Sequence, residues 1–271
     1  HHRYLHSFPT RRSSDLVNES VKLAKAYGHK GTIGYVNGVL RGISSKKSYY
    51  KSIEFMSGDE MVAVKFSHPD FMVDIWVEQY GIDFTKKLLT ANNSVPPFTI
   101  RVNTLKCKVE ELRSLLLSKG IQAEKGQLAE DSLIVKNPHE IISTEEYNNG
   151  LFTIQDEASM MVTEAMNPEI GSVVLDVCAA PGGKASHIAQ WMNDKGIVIS
   201  RDIYPHKIML INHIKDRLGI SSINAQLYDA LVFDNELKGR VDYCLVDAPC
   251  SGLGLIRRKR SEEHTSELQS R

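Results

Sequence analysis

The segment DVCAAPGGK, residues 176–184, decides the fold of this chain. It continues a β-rich run at 173–177 and leads into a helical segment at 184–192, so a strand passes through a turn of small residues into a helix. The same alternation continues downstream, with strands predicted at 196–200, 224–228 and 241–246 and a helix at 205–218. Strands that alternate with helices predict an α/β fold with a parallel, doubly wound sheet.

Acidic residues stand at the end of every predicted strand of this sheet. The first strand leads into DVCAAPGGK, the second ends at Asp202, the third at Asp229, and the fourth leads into DAPCSG at 247–252. Ligands of such sheets bind outside the carboxyl ends of the strands, so we expect these residues to share one site.

The turn at 179–183, Ala-Ala-Pro-Gly-Gly, suits close contact with a ligand. Its small residues let the backbone approach, and the N–H groups that open the next helix favour a carboxylate or a phosphate. The turn is not GxGxxG, which disfavours a dinucleotide. Cys178 is interpreted as a small core residue that contacts the ligand mainly through its backbone.

Asp202 lies where an acid accepts hydrogen bonds from ribose hydroxyls. The alternative is an N-cap for the helix that follows Pro205. Asp229 carries a weaker signal, because an aspartate in a loop is usually only solvated.

DAPCSG combines a carboxylate, a rigid proline and a thiol at one strand end. A thiol beside an electron-poor ring suits nucleophilic or proton-transfer chemistry. The alternative for Cys250 is a buried free cysteine beside a turn.

The upstream half has a different pattern. Helices are predicted at 17–27, 33–41 and 83–92, and Pro96-Pro97 ends the helical run. After that break, strands at 98–102, 133–135 and 151–154 and helices at 109–119 and 155–166 predict a small α+β domain.

Composition limits the class of protein. The chain has 271 residues, with 33 Lys and Arg balanced by 33 Asp and Glu, so global charge gives no support for a nucleic-acid partner. One stretch, 22–51, holds basic residues without an acid: Lys22, Lys25, Lys30, Arg41, Lys46, Lys47 and Lys51. It could follow a phosphate backbone or form a solvated helix face. The four cysteines form no CxxC pair, which argues against a zinc ribbon or disulfide scaffold, and no apolar run is long enough to cross a membrane.

The two ends of the chain differ from the rest. Residues 6–16 and 260–270 resemble translations of two common short-read sequencing adapters. We therefore expect 1–16 and 260–271 to be artefacts and exclude them from fold reasoning, with a natural sequence of 17–259 cut at both ends.

Taken together, these motifs resemble the RsmB (Sun/Fmu) family of 16S ribosomal RNA cytosine-C5 methyltransferases. The resemblance rests on DVCAAPGGK, Asp202, Asp229 and DAPCSG, and upstream on Pro96-Pro97, RVN at 101–103, QDEAS at 155–159 and YVNGVLR at 35–41. It implies a Rossmann-like class I methyltransferase domain at 151–259, truncated at its C-terminus. A helical linker and α+β RNA-binding subdomain at 66–150 would precede it, after the end of a NusB-like all-α domain at 17–65.

The resemblance also implies how S-adenosyl-L-methionine would be held. The methionine part would contact the turn residues Cys178, Ala179, Ala180, Pro181, Gly182, Gly183 and Lys184. Asp202 would bind the ribose and Asp229 the adenine amino group. The sequence departs from the family at Ser200-Arg201, where small residues are usual, and this places a long side chain beside the expected ribose site.

For the reaction, the resemblance implies three further residues. Asp247 would lie between the cofactor and an unstacked or single-stranded cytosine of 16S ribosomal RNA, and Pro249 would help to position the base. Cys250 would assist release of the product. The attacking cysteine of the family follows a threonine on a later strand, and no cysteine here follows a threonine, so we expect this chain to be inactive.

The cysteine pattern fits the reducing cytoplasm, and we expect no metal. Neither the resemblance nor the residues indicate an oligomeric state. Two other functions stay open: a methyltransferase that acts on a small molecule or protein, and a non-catalytic RNA-binding module. The basic stretch and Arg257-Arg258-Lys259 speak against the first, and cofactor binding would separate the enzyme from the second.

Overall fold

The computed structural model describes residues 13–46, 59–138, 140–250, 252, 254 and 256–257. The chain divides into two compact units, His1–Thr90 and Ala91–Arg271. The predicted domain boundaries at 65/66 and 150/151 stay predictions. The adapter interpretation of the two ends also stays a prediction.

The first unit is helical. Its elements are α1 (Ser13–Tyr27), α2 (Lys30–Ser45), α3 (Asp59–Phe66), α4 (Asp70–Tyr80) and α5 (Ile82–Asn92), whose last residues pass the unit boundary. Val62 and Ala63 of α3 pack with Val73 of α4 and Leu89 of α5 in a small apolar core. The three predicted helices are confirmed, and α2 extends beyond the predicted 33–41 because His29 caps it: the Thr32 N–H donates to His29 Nδ1 at 3.4 Å.

The basic stretch lies partly on α1 and α2. Its described members are all exposed: Lys22, Lys25, Lys30, Arg41 and Lys46. Lys22 forms an exposed ion pair of 2.8 Å with Glu19, one turn earlier in α1. Lys47 and Lys51 lie outside the described residues, so the choice between a phosphate-binding surface and a solvated face stays open.

The second unit begins with an antiparallel sheet. Its strands are β1 (Phe98–Val102), β2 (Ala123–Lys125), β3 (Ser132–Val135) and β4 (Phe152–Ile154), in the order β2-β3-β1-β4. Two helices accompany it, α6 (Val109–Ser118) and α7 (Glu145–Asn148). Leu112 and Leu116 of α6 pack on Ile100, Leu133 and Phe152 in the core. The predicted α+β arrangement is confirmed.

A parallel sheet follows α8 (Glu157–Met166). Its elements are β5 (Val173–Asp176), α9 (Gly183–Trp191), β6 (Ile197–Asp202), α10 (Pro205–Leu218), β7 (Ile223–Leu227) and β8 (Tyr243–Leu245). The strand order is β7-β6-β5-β8, and every pairing is parallel. The chain runs outward from β5 through β6 to β7 and then returns to the other side of β5. The topological switch point therefore lies between β5 and β8, where such sheets bind ligands.

The two faces of the parallel sheet differ. On one face, Val174 and Val198 pack against Ile188 of α9 and against Ile211 and Leu218 of α10. The other face has a cavity of about 340 Å³ lined by Leu175, Val177, Arg201, Tyr228, Cys244 and the loop at 230–241. The carboxyl edge between these faces carries the predicted site.

Candidate functional site

The turn between β5 and α9 is built by backbone hydrogen bonds. The Ala179 N–H donates to the Arg201 carbonyl at 2.8 Å, and the Gly182 N–H to the Ala179 carbonyl at 2.7 Å. Gly182 has a φ of +107°, and a Cβ there would lie 3.3 Å from the Ile211 Cα. Only glycine meets both conditions easily, so the turn brings bare backbone and the N–H groups of α9 to the sheet edge.

Asp176 is the buried carboxyl of the site. It ends β5, is 1% exposed and accepts the Cys178 N–H at 3.4 Å. Burial raises its pKa from 3.8 to about 7; the negative charges of Asp247 and Asp202 add to the rise, while the Cys178 hydrogen bond and Lys184 oppose it. These couplings show that the carboxyls of three strand ends converge on one region.

Asp202 ends β6 and is 5% exposed. One carboxylate oxygen accepts the Tyr204 N–H at 3.2 Å, and the other lies 3.5 Å from Lys207 Nζ. The N-cap residue of α10 is Tyr204, so the N-cap alternative for Asp202 is wrong, although its carboxylate accepts the Tyr204 N–H just before the helix. The contact of Asp202 with a ribose stays a prediction.

Asp229 follows β7 and is half-buried. Its carboxylate accepts the Leu231 N–H at 2.9 Å, which closes a turn within the loop. The structure thus gives Asp229 a local role, and its contact with an adenine group stays a prediction.

Asp247 and Lys184 join two motifs that lie far apart in the sequence. Lys184 Nζ lies 2.5 Å from Asp247 Oδ2, which ties the first turn of α9 to the segment after β8. Asp247, Pro249 and Cys250 are all exposed at this edge. Ser251, the next residue of the predicted motif, lies outside the described residues.

The cysteines are not equivalent. Burial raises the thiol pKa of Cys107, Cys178 and Cys244, and nearby carboxylates add to the rise. Cys178 is half-buried beside the turn and is not among the buried residues of the apolar core, so its expected core position is wrong, and its backbone contact with a ligand stays a prediction. Cys250 is exposed in the segment after β8, so the alternative of a buried cysteine is wrong, and its role in the reaction stays a prediction.

Arg201 does not lie beside the ribose-binding edge. Successive side chains of a strand point to opposite faces, so Arg201 leaves β6 on the face away from Asp202. There Arg201 Nη2 lies 2.5 Å from Asp234 Oδ2, Nε donates to Gln226 Oε1 at 3.0 Å, and the guanidinium lies 3.9 Å from the Tyr228 ring centre. The expected conflict between Arg201 and the cofactor is absent because these partners hold it elsewhere.

Sequence reasoning missed two features of the site. Asp176 belongs to the DVCAAPGGK motif, but the sequence analysis assigns it no role. An acid at the end of a strand, followed by a glycine turn, could have marked it as a candidate site residue. Lys207 Nζ lies 3.5 Å from Asp202 Oδ2. A helix that begins at Pro205 has residue 207 in its first turn, close to Asp202, so the sequence could have predicted this contact. Among the described residues, no group of His, Cys, Asp and Glu side chains could hold a metal ion. None of the described helices is long and apolar enough to cross a membrane.

Comparison with known proteins finds two matching family models. The model described as 16S rRNA methyltransferase RsmB/F matches residues 163–267. The ferredoxin-like domain model of RsmF/B-like methyltransferases matches residues 68–142.

Individual proteins are also similar. The chain is 41% identical over 268 residues to the probable ribosomal RNA small subunit methyltransferase B of Bacillus subtilis. This alignment covers 97% of the chain and 58% of the relative. It is 32% identical over 223 residues to the 28S rRNA (cytosine-C(5))-methyltransferase of Mus musculus, covering 81% of this chain and 28% of that one. The chain thus spans less than two thirds of the length of these curated relatives.

A solved structure has the same fold. The methyltransferase homologue protein from Pyrococcus horikoshii superimposes with a TM-score of 0.65 at 26% identity, covering 79% of this chain and 73% of that one.

Proposed function

The chain belongs to the 16S rRNA methyltransferase RsmB/F family, and on that premise we propose that its site serves the transfer of a methyl group from S-adenosyl-L-methionine to C5 of a cytosine in 16S ribosomal RNA. Residues 151–259 would hold the cofactor, and the subdomain within 66–150 would contact the RNA. Two neighbouring features support this function: the glycine turn after β5 and the Asp-Ala-Pro-Cys segment after β8.

The residues present fit this cofactor. The carboxyls of Asp176, Asp202 and Asp247 lie close enough to influence one pKa, and a carboxyl cluster suits a ligand that carries positive charge. When bound, S-adenosyl-L-methionine supplies an electrophilic methyl group. The N–H groups at the start of α9 would hold its carboxylate through the turn at 178–184, Asp202 would accept from the ribose hydroxyls, and Asp229 from the adenine amino group.

The target base needs more than a methyl donor, because C5 of cytosine is a poor nucleophile. Addition of a thiolate to C6 makes C5 reactive; after methylation the C5 proton leaves and the C6–sulfur bond breaks. We assign Cys250 to this release, Asp247 to the space between cofactor and base, and Pro249 to positioning of the base. A cytosine attacked at C6 must be unstacked, so the target would be flexible or single-stranded RNA.

The attacking thiol is a separate question. The four cysteines of this chain follow Lys106, Val177, Tyr243 and Pro249, so none forms the Thr-Cys pair that the family resemblance implies. We propose that this chain binds the cofactor without completing methyl transfer.

The observation that carries the proposal is the 2.5 Å contact between Lys184 and Asp247. It brings together the cofactor turn and the cysteine-bearing segment, and it does so at the switch point of the sheet. A cofactor held by the first and a base held by the second would therefore be neighbours.

The test is transfer of tritium from labelled S-adenosyl-L-methionine. Unmodified 16S RNA is incubated with this chain and, in parallel, with the longer Bacillus subtilis relative. A labelled methyl group at cytosine C5 with the relative, and none with this chain, supports the proposal; label transferred by this chain alone would overturn the expectation that it does not complete the reaction. Label only in a protein or small molecule would reassign the substrate, and RNA binding without cofactor binding would leave a binding module.

A further inference from the structure

A buried guanidinium lies directly behind the cofactor turn. Arg101 of β1 is 1% exposed. Its Nη1 donates to Gln155 Oε1 and, at 2.8 Å, to the Gly183 carbonyl, and its Nη2 donates to Ser186 Oγ at 2.9 Å. We call these four residues the Arg101 clamp. The clamp joins the antiparallel sheet to the first turn of α9, which carries the cofactor turn.

A buried, charged guanidinium is unusual at a position where a side chain only packs in the core. A buried charge is costly, and burial lowers the pKa of Arg101 to about 10; the negative charge of Asp131 opposes this shift and the positive charge of Arg217 adds to it. At that pKa the guanidinium is still charged at neutral pH. The planar guanidinium has several N–H donors in a fixed geometry. Two of its nitrogens bind one backbone carbonyl and one hydroxyl of a single helical turn. Gly183, whose carbonyl it holds, directly follows Gly182 with its positive φ.

The contacts continue along α9. Gln190 Nε2 donates to the Val102 carbonyl at 2.9 Å and to Asp131 Oδ2 at 3.1 Å. His187 Nε2 lies 3.2 Å from the same carboxylate oxygen. One face of α9 is therefore fixed to β1 and to the loop before β3 by polar groups, and the clamp is the end of that line nearest the ligand.

We propose that Arg101 is a positioning residue for the cofactor. It holds the first turn of α9 at the place where the helix N–H groups meet the ligand, so the antiparallel sheet and the cofactor turn move as one body. This inference rests on the proposed function, since it assumes that the turn binds S-adenosyl-L-methionine. The guanidinium itself touches neither ligand nor substrate.

A second arginine provides a matched control. Arg217 of α10 also joins the two sheets: Nη1 donates to the Tyr147 carbonyl at 2.8 Å and to the Phe152 carbonyl at 2.9 Å, and Nη2 donates to Thr153 Oγ1 at 3.2 Å. It lies in the last turn of α10, whereas the clamp lies in the first turn of α9. The positive charge of Arg217 also acts on Arg101, and Arg217→Lys keeps that charge while it removes the fork. We therefore expect this variant to weaken the joint between the sheets and to leave the cofactor turn in place.

The experiment compares Arg101→Lys, Arg217→Lys and Ser186→Ala in the full chain. Calorimetric titration with S-adenosyl-L-methionine gives Kd, and urea unfolding gives stability. We expect Arg101→Lys to raise Kd about tenfold, the equivalent of about 1.4 kcal/mol. Ser186→Ala should raise it about threefold, because it removes one bond of the fork and also the bond of 3.0 Å that the Ser186 hydroxyl donates to the Gly183 carbonyl. Arg217→Lys should lower stability by a similar amount to Arg101→Lys and leave Kd within about twofold.

The outcomes distinguish a failure of the Arg101 inference from a failure of the proposed function. If the unsubstituted chain binds and Arg101→Lys raises Kd no more than Arg217→Lys, Arg101 is only a structural joint and the inference is overturned. If Arg101→Lys does not fold, Ser186→Ala decides in the same way. If the unsubstituted chain does not bind the cofactor at all, the proposed function fails and the inference falls with it.

Discussion

The buried carboxyl of Asp176 makes the stability of the second unit depend on pH. Its pKa is raised from 3.8 to about 7 by burial, so the folded state binds the proton more tightly than the unfolded state. The stabilisation from that proton is complete below about pH 4 and is lost as pH rises to about 7. At about 1.4 kcal/mol per pKa unit, the loss is of the order of 4 kcal/mol.

Asp176→Asn removes the ionisation and keeps the shape of the side chain and an acceptor for the Cys178 N–H. We expect the variant to match the parent below about pH 4 and to be more stable by up to about 4 kcal/mol above pH 7, with the difference growing between these values. Urea unfolding at pH 4, 5.5, 7 and 8 measures it. Trp76→Phe in every variant leaves Trp191 as the fluorescent reporter of the second unit.

Asp194 is a control of opposite sign. Burial raises its pKa, but hydrogen bonds from Ser221 and Ser222 outweigh burial and hold the pKa below its ordinary value. Asp194→Asn should therefore be less stable than the parent at neutral pH, and the difference should vanish in acid. If Asp176→Asn were destabilising at pH 8, or if its effect did not change with pH, the burial argument for Asp176 would be refuted.

Three further predictions follow from the site and the basic stretch. Asp202→Ala should weaken S-adenosyl-L-methionine binding by about 1–3 kcal/mol, because ligand hydroxyls lose their acceptor; calorimetry that shows unchanged affinity removes Asp202 from the site. Cofactor binding at pH 7 should release about half a proton, because a cation next to Asp176 lowers its pKa; titration in two buffers of different ionisation enthalpy detects this, and heats independent of buffer would contradict it. Lys46→Gln with Lys47→Gln should flatten the salt dependence of RNA binding, and an unchanged slope assigns both lysines to a solvated face.

Much of the second unit could be predicted because its signals are local. Short runs of apolar residues mark β5 and β6, and small residues mark the turn before α9. The acids at the strand ends are visible in the sequence once these strands are placed. In contrast, β2 (Ala-Glu-Lys) and α7 (Glu-Glu-Tyr-Asn) were missed, because they lack the apolar residues that marked the equally short β4 and β8. The strand β2 exists because Ala123–Lys125 pairs with β3, and that pairing is a tertiary fact.

The sequence by itself determined the parallel α/β class and the glycine turn, and it indicated the candidate site residues. Only the tertiary structure decided that β8 lies beside β5, that Lys184 meets Asp247 across 63 residues, and that Arg201 turns away to Asp234. It also decided that Arg101 reaches Gly183, 82 residues later in the chain. The physical reason is that backbone preferences and side-chain periodicity act over a few residues, whereas strand order, burial and ion pairing depend on which distant segments share a face.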